Sequence, residues 1–385
     1  MQNKKCFVTS CAQIHTHPDK ISVHKEQNMK ITQQQIQQAI ELLQVLISTP
    51  STSRDESEAA DRLQTFIARS TPIRIDIRRH YNNIWCICPD FDARRPTLLL
   101  DAHIDTVKPV ANWSTPPFTP KIEGDRITGL GSNDDGGSLV ALLQVFYTLC
   151  QSEQKYNTIF LASAEEEVSG KNGIEAVLPL LPPIACAIVG EPTRMQPAIA
   201  EKGLMVLDCT AHGIAGHAAR DSGLNAIYEA MRDIEWLRTH KLPKSSPLLG
   251  DVRLSVTQIN AGTQHNVIPD SCSFVVDVRS NECYSNQELL DIIKENVKAD
   301  VSARSLRLNS SSIAANHPLV QRATTLGLTP FGSPTLSNQA LLSLPTLKIG
   351  PGDSTRSHTA NEYILASEIK QGMEIYLNLL DGLQL

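Results

Sequence analysis

Thr97-Leu98-Leu99-Leu100, followed by Asp101-Ala102-His103-Ile104-Asp105, decides the fold class. A short apolar run that stops on polar residues reads as a buried strand delivering side chains at its carboxyl end. The arrangement recurs at 158–161 before Glu165-Glu166-Glu167 and at 185–189 before Gly190-Glu191-Pro192. It appears again at 346–349, before Gly350-Pro351-Gly352-Asp353 and then His358. Segments of helical apolar spacing lie between, 138–149 among them, and amphipathic helices are predicted at 32–47 and about 364–382. Strand and helix alternate up to about residue 200, the signature of an α/β fold.

The middle of the chain has another rhythm. Strands are predicted at 204–211, 254–259, 273–278 and 305–309, with helices at 225–238 and 286–297. The order βαββαβ is the ferredoxin-like pattern. The expected organisation is a larger α/β domain in two parts, 29–202 and 313–385, interrupted by a small α+β domain over 203–312. Residues 1–28 are polar, hold His15, His17 and His24, and lack the apolar core of a signal peptide, so they are expected to be a disordered extension. Met29 opens the first amphipathic helix and is expected to be the native start.

Composition narrows the function. The 385 residues are 41% hydrophobic and 20% charged, ordinary for a globular protein of about two domains. No apolar run approaches the ~20 residues that span a bilayer, so no membrane is expected. A net charge of -6 without a basic stretch argues against nucleic acid. The nine cysteines are scattered, without a Cys-x-x-Cys pair, which fits a reducing cytoplasm.

Open α/β sheets bind ligands at the carboxyl ends of their strands, so four strands ending in His, Glu, Glu and His point to one site. In extended chain His103 and Asp105 point the same way, and a carboxylate behind a ligating imidazole fixes its tautomer. Alone, the pair reads better as a buried histidine bonded to a neighbour. Gly131-Ser132-Asn133-Asp134-Asp135-Gly136-Gly137 opens a helix, where an aspartate by itself reads as an N-cap. Three adjacent glutamates at 165–167 repel one another, and either solvent or a cation relieves this. Glu191 after Ala-Ile-Val-Gly is an odd surface charge, although a helix-start carboxylate is the plainer reading.

Taken in order, Leu-Asp-Ala-His-Ile-Asp-Thr-Val, Gly-Ser-Asn-Asp, Glu-Glu-Glu-Val-Ser-Gly and Val-Gly-Glu-Pro-Thr resemble the zinc aminoacylase/carboxypeptidase family of metallopeptidases (M20), in its acetylornithine deacetylase branch. The resemblance covers about residues 30–385. It implies an α/β metallopeptidase catalytic domain with an inserted ferredoxin-like dimerisation or lid domain. It also implies two divalent metal ions, zinc or else cobalt. His103 and Glu191 would hold one ion, Glu167 and His358 the other, and Asp134 would bridge them. Asp105 would orient His103, and Glu166 would be the general base. His217, in Gly213-Ile214-Ala215-Gly216-His217, would reach the site of a partner subunit in a homodimer. Asn266 and Arg279 would contact substrate. Arg356 departs from the family pattern, and a cation there would suit a second substrate carboxylate. Gly136-Gly137 stands where many members have Lys-Gly.

The activity implied is hydrolysis of an N-acyl-amino acid, N2-acetylornithine first, in arginine biosynthesis. The alternatives are an N-succinylornithine or N-acetylcitrulline deacylase, a succinyl-diaminopimelate desuccinylase, and a di- or tripeptidase.

Overall fold

The computed structural model describes residues 29–220 and 222–385, so the expectations for residues 1–28 lie outside the described residues. The first helix, Gln33–Ile47, starts where its residues demand. Thr32 Oγ1 accepts the Gln35 N–H and Gln35 Oε1 accepts the Thr32 N–H, a reciprocal cap for two otherwise orphaned donors.

A nine-stranded sheet organises the larger body. Its centre is four adjacent parallel strands in the order Asn157–Ser163, Thr97–His103, Cys186–Val189 and Thr346–Lys348. Register keeps their ends level: His103 lies opposite Ser163, Asp101 opposite Val189, and Val189 opposite Lys348. Antiparallel pairings flank this centre on both sides, and Phe331–Ser333 adds a parallel pairing to Ala198–Glu201. Every residue of Thr97–His103 and Asn157–Ser163 is buried, as expected of a parallel sheet covered on both faces. The helix Gly136–Leu149 lies against this sheet, buried throughout its length, with Ala366–Leu380 and Gln33–Ile47 packed on it. The Gly136 departure has a steric reason, since a Cβ there would sit 2.3 Å from the Gly131 carbonyl oxygen.

The ferredoxin-like unit has its own sheet and core. Its strands run Arg253–Ala261, Ser271–Arg279, Met205–His212, Asp300–Ala303, all antiparallel. The helices Ala226–Thr239 and Asn286–Asn296 contribute Ala230, Leu237, Leu289 and Ile293 to a core with Leu207, Cys209, Phe274 and Val276.

One strand differs from expectation. The fourth strand is Asp300–Ala303, and the 305–309 segment is irregular. Leu306 and Leu308 alternate as a strand would, but their carbonyls are taken by the Asn286 side-chain amide, at 3.4 and 2.8 Å. A side chain that satisfies these acceptors removes the need for a ladder.

Candidate metal centre

Because the four central strands are parallel and adjacent, their carboxyl ends open on one edge, and the expected residues gather there. His103 is the last residue of its strand, and Glu191 lies two residues beyond Val189. Glu166 and Glu167 occupy a 3-10 turn after Asn157–Ser163, entered through Glu165 in the left-handed region at φ 56°. His358, also left-handed at φ 58°, follows the strand Thr346–Lys348 by way of another 3-10 turn. Asp134 comes from the turn before Gly136–Leu149.

Asp134 is the hub. Its Oδ1 lies 3.2 Å from His103 Nε2 and its Oδ2 lies 3.5 Å from His358 Nε2. His358 Nε2 also meets Glu167 Oε1 at 3.0 Å. His103 turns its other nitrogen to Asp105, 2.9 Å from the carbonyl oxygen and 3.5 Å from Oδ1. Ligand atoms of His103, Glu166 and Glu191 lie within 4.8 Å of one another, as do those of His103, Asp134 and Glu167. Glu165 is turned away, its carboxylate taking the Asn172 side-chain amide at 2.9 Å.

The electrostatics call for cations. Burial, and then the charges of Glu167, Asp105 and Asp134, push the Glu166 carboxyl well above the usual carboxylate range. Burial, and then Asp134 and Glu166, do the same to Glu191. The hydrogen bond to Glu167 pushes His358 up to about 9. Burial opposes a charged His103, yet Asp105 and Asp134 raise it well above its ordinary value. Burial and neighbouring charge displace Glu166 and Glu191 toward their protonated forms, while the two histidines, against burial, hold Asp134 below the usual carboxylate range, so a close set of acidic groups here fits positive charge. Histidine nitrogens with carboxylate oxygens are a donor set for zinc, cobalt or manganese.

The inserted unit carries the remaining candidates. His217 pairs with Val267 across a two-stranded ribbon, and the Ala218 N–H donates to the Asn266 carbonyl at 2.9 Å. His217 and Asn266 are therefore neighbours, both exposed. His212, by contrast, pairs with Asp300 at 2.7 Å. Arg279 is half-buried and held by Asp277 at 2.8 and 3.1 Å. Arg356 is not brought to the carboxylate cluster as an open cation. Its guanidinium grips Glu368 at 2.7 and 3.0 Å and lies 4.4 Å above the Tyr363 ring.

Sequence reasoning missed several residues around the cluster. Beside Glu191 a cavity of about 400 Å³ is lined by Arg194, Gln196 and Lys348 among others. Arg194 pairs with Asp353, and this ties the Glu191 loop to the His358 segment. Lys348 forms a buried pair with Glu201 at 2.9 Å. Glu362, pushed up to about 8 by burial and by the Asp134 charge, accepts three backbone N–H groups of the Asp134 turn. The one signal for Glu362 was a lone carboxylate just before the apolar run Tyr363-Ile364-Leu365.

Known proteins resemble this chain in sequence and in fold. The profile of Peptidase family M20/M25/M40 matches residues 99–382. The chain is 26% identical over 357 residues to the LysW-lysine/LysW-ornithine hydrolase of Sulfurisphaera tokodaii, covering 89% of this chain and 95% of that protein. It is also 26% identical over 360 residues to a Mycobacterium tuberculosis protein described as a succinyl-diaminopimelate desuccinylase, covering 89% of this chain and 98% of that one. Among solved structures, the aminopeptidase PepT of Bacillus cereus aligns with a TM-score of 0.70 at 16% identity, over 90% of this chain and 98% of its own. A dinuclear metal-binding peptidase of Bacillus subtilis aligns at 0.69 and 17% identity, over 91% of this chain and 100% of its own. The likeness in fold reaches across nine-tenths of the chain and the profile spans all five clustered residues, so this protein belongs to peptidase family M20/M25/M40 and is a metal-dependent hydrolase.

Proposed function

We propose that the protein hydrolyses the amide bond of an N-acylated diamino acid, with N2-acetylornithine as the first candidate, using two divalent ions. The observation that carries this is Asp134, which turns one oxygen to His103 and the other to His358. That posture fits a carboxylate shared by two ions, of which His103 and Glu191 would hold one and Glu167 and His358 the other. When bound, the ions supply Lewis acidity, polarising the scissile carbonyl and acidifying water.

The chain's own groups do the rest. Glu166, clustered with His103 and Glu191, takes the proton of the attacking water and returns it to the leaving amine. Asp105 holds the His103 ring. Arg279 takes a substrate carboxylate by exchanging Asp277 for it, and Asn266 contacts the substrate beside it. With Arg356 occupied by Glu368, the second substrate carboxylate has no open cation at that position.

His217 completes the site of a partner subunit. A homodimer is supported by the edge strand Arg253–Ala261 and by Tyr228, Met231 and Ile259, which are 64, 57 and 51% exposed. Zinc and a reducing cytoplasmic setting belong to the same reading. The described cysteines are free, and no helix among the described residues is long and apolar enough to cross a membrane.

The names of the two relatives, with ornithine, lysine and diaminopimelate in them, support a diamino-acid product and leave the acyl group to experiment. The zinc- or cobalt-loaded protein is offered N2-acetylornithine, N-acetylcitrulline, N-succinylornithine, N-succinyl-diaminopimelate and a dipeptide panel, and free amine is measured. Release from an acylated diamino acid is expected. Cleavage of dipeptides alone would replace this reading with that of a peptidase.

A further inference from the structure

Glu362 is 2% exposed and sits at the foot of the strand Tyr363–Leu365. That strand pairs with Arg126–Thr128, and the Glu362 carbonyl accepts the Gly129 N–H at 3.0 Å, so its backbone is fixed. The side chain makes all its hydrogen bonds to one turn. Oε2 accepts the Gly131 N–H at 3.2 Å, and Oε1 accepts the N–H groups of Asn133 and Asp134 at 2.9 and 3.0 Å. The turn is tied back from its own side as well. The Asn133 side-chain amide pairs with both backbone polar groups of Asp353, at 3.0 and 3.1 Å, and donates to Ser357 Oγ at 3.2 Å. Ser357 immediately precedes His358.

A buried carboxylate beside the charge of Asp134 is an unfavourable choice for a merely structural acceptor. Here it has a geometric use. The peptide plane of Asp134 sets where its side chain starts, and Asp134 must reach His103 and His358 together. We propose that Glu362 is a positioning residue that locks the 131–134 turn so that Asp134 can span two metal ions. The inference rests on the reading of Asp134 as the bridge. Asn133 works with Glu362, setting the spacing between the Asp134 turn and the His358 segment.

The test compares metal-free wild type, Glu362→Gln, Glu362→Ala and Asp134→Asn. Zinc affinity and stoichiometry come from calorimetric titration, the visible spectrum from cobalt-loaded protein, and folding from thermal melts of the metal-free forms. Glu362→Gln keeps one acceptor oxygen for Asn133 and Asp134 and turns a donor toward Gly131. It is expected to melt close to wild type and to bind at least one ion about 10-fold more weakly, whereas Glu362→Ala loses about 100-fold. The cobalt spectrum of both should shift toward that of Asp134→Asn. If Glu362→Ala does not fold, Glu362→Gln decides the matter. Two zinc ions bound with wild-type affinity and an unchanged cobalt spectrum in Glu362→Gln would overturn the inference, whatever the melting temperatures. A wild type that takes up no zinc would instead overturn the two-ion reading itself.

Discussion

One carboxylate oxygen of Asp105 accepts the backbone N–H of Glu166 at 3.0 Å. The other accepts the Glu167 N–H at 3.1 Å and the Ser53 hydroxyl at 2.7 Å. One buried residue thus holds the His103 ring, through its backbone carbonyl at 2.9 Å with Oδ1 3.5 Å away, and, through its side chain, the turn that carries Glu166 and Glu167. Asp105→Asn keeps the shape but presents a donor to one of two N–H groups. Metal affinity and kcat/KM are expected to fall together by about 10- to 100-fold, read by metal titration and steady-state kinetics.

Glu166→Gln separates proton transfer from metal binding. Loss of a positioned general base costs about 10²- to 10⁴-fold in rate, so kcat should fall in that range. KM and the number of ions bound should stay near wild type. A variant with full activity would remove Glu166 from the mechanism.

How legible these residues were depends on where their partners lie. His103, Glu167, Glu191 and His358 could be read because each follows a buried strand, and parallel neighbours bring strand ends to one edge. Glu362 could not, because its partners are backbone amides more than 200 residues earlier in the chain. Arg356 looked like an open cation because nothing in its own loop marks Glu368, 12 residues on, as its partner. The alternation at 305–309 was a decoy, since periodicity records which face is buried and not whether a ladder forms.

Metal uptake should release protons. Burial and neighbouring carboxylates favour protonated Glu166 and Glu191, and Glu167 favours protonated His358, whereas ligands bind metal deprotonated. Affinity is therefore expected to weaken as pH falls. Calorimetry at pH 7 in buffers of different ionisation enthalpy should report net release. Chelation should lower the melting temperature, because an ion at 100 times its Kd adds about 2.7 kcal/mol to stability.

His317 caps the helix Pro318–Thr325, its Nδ1 accepting the Leu319 N–H at 3.3 Å. Burial holds its pKa below the ordinary 6.5. On acidification the unfolded chain takes the proton first. The contribution is therefore complete above pH 6.5 and is lost as pH falls through the lower, folded value. His317→Asn preserves a cap and should flatten this part of the stability–pH curve, measured by denaturant melts across the acid range.

Lys348 and Glu201 make the most deeply buried ion pair among the described residues, with side chains 1 and 0% exposed. The Lys348 ammonium also donates to the Thr335 carbonyl at 2.9 Å, and Glu201 accepts the Ser337 hydroxyl at 2.8 Å. Each charge is satisfied only while the other is present. Removing one partner strands the second in an apolar interior, which costs about 3–5 kcal/mol, whereas replacing both with apolar groups of similar size is often neutral. Lys348→Met and Glu201→Leu should each destabilise by that amount in denaturant melts, and the double variant should recover most of it. Lys348 lies on the strand that leads to His358 and lines the cavity beside Glu191. If the pair shapes that cavity as well as the fold, the double variant regains stability without regaining the wild-type KM.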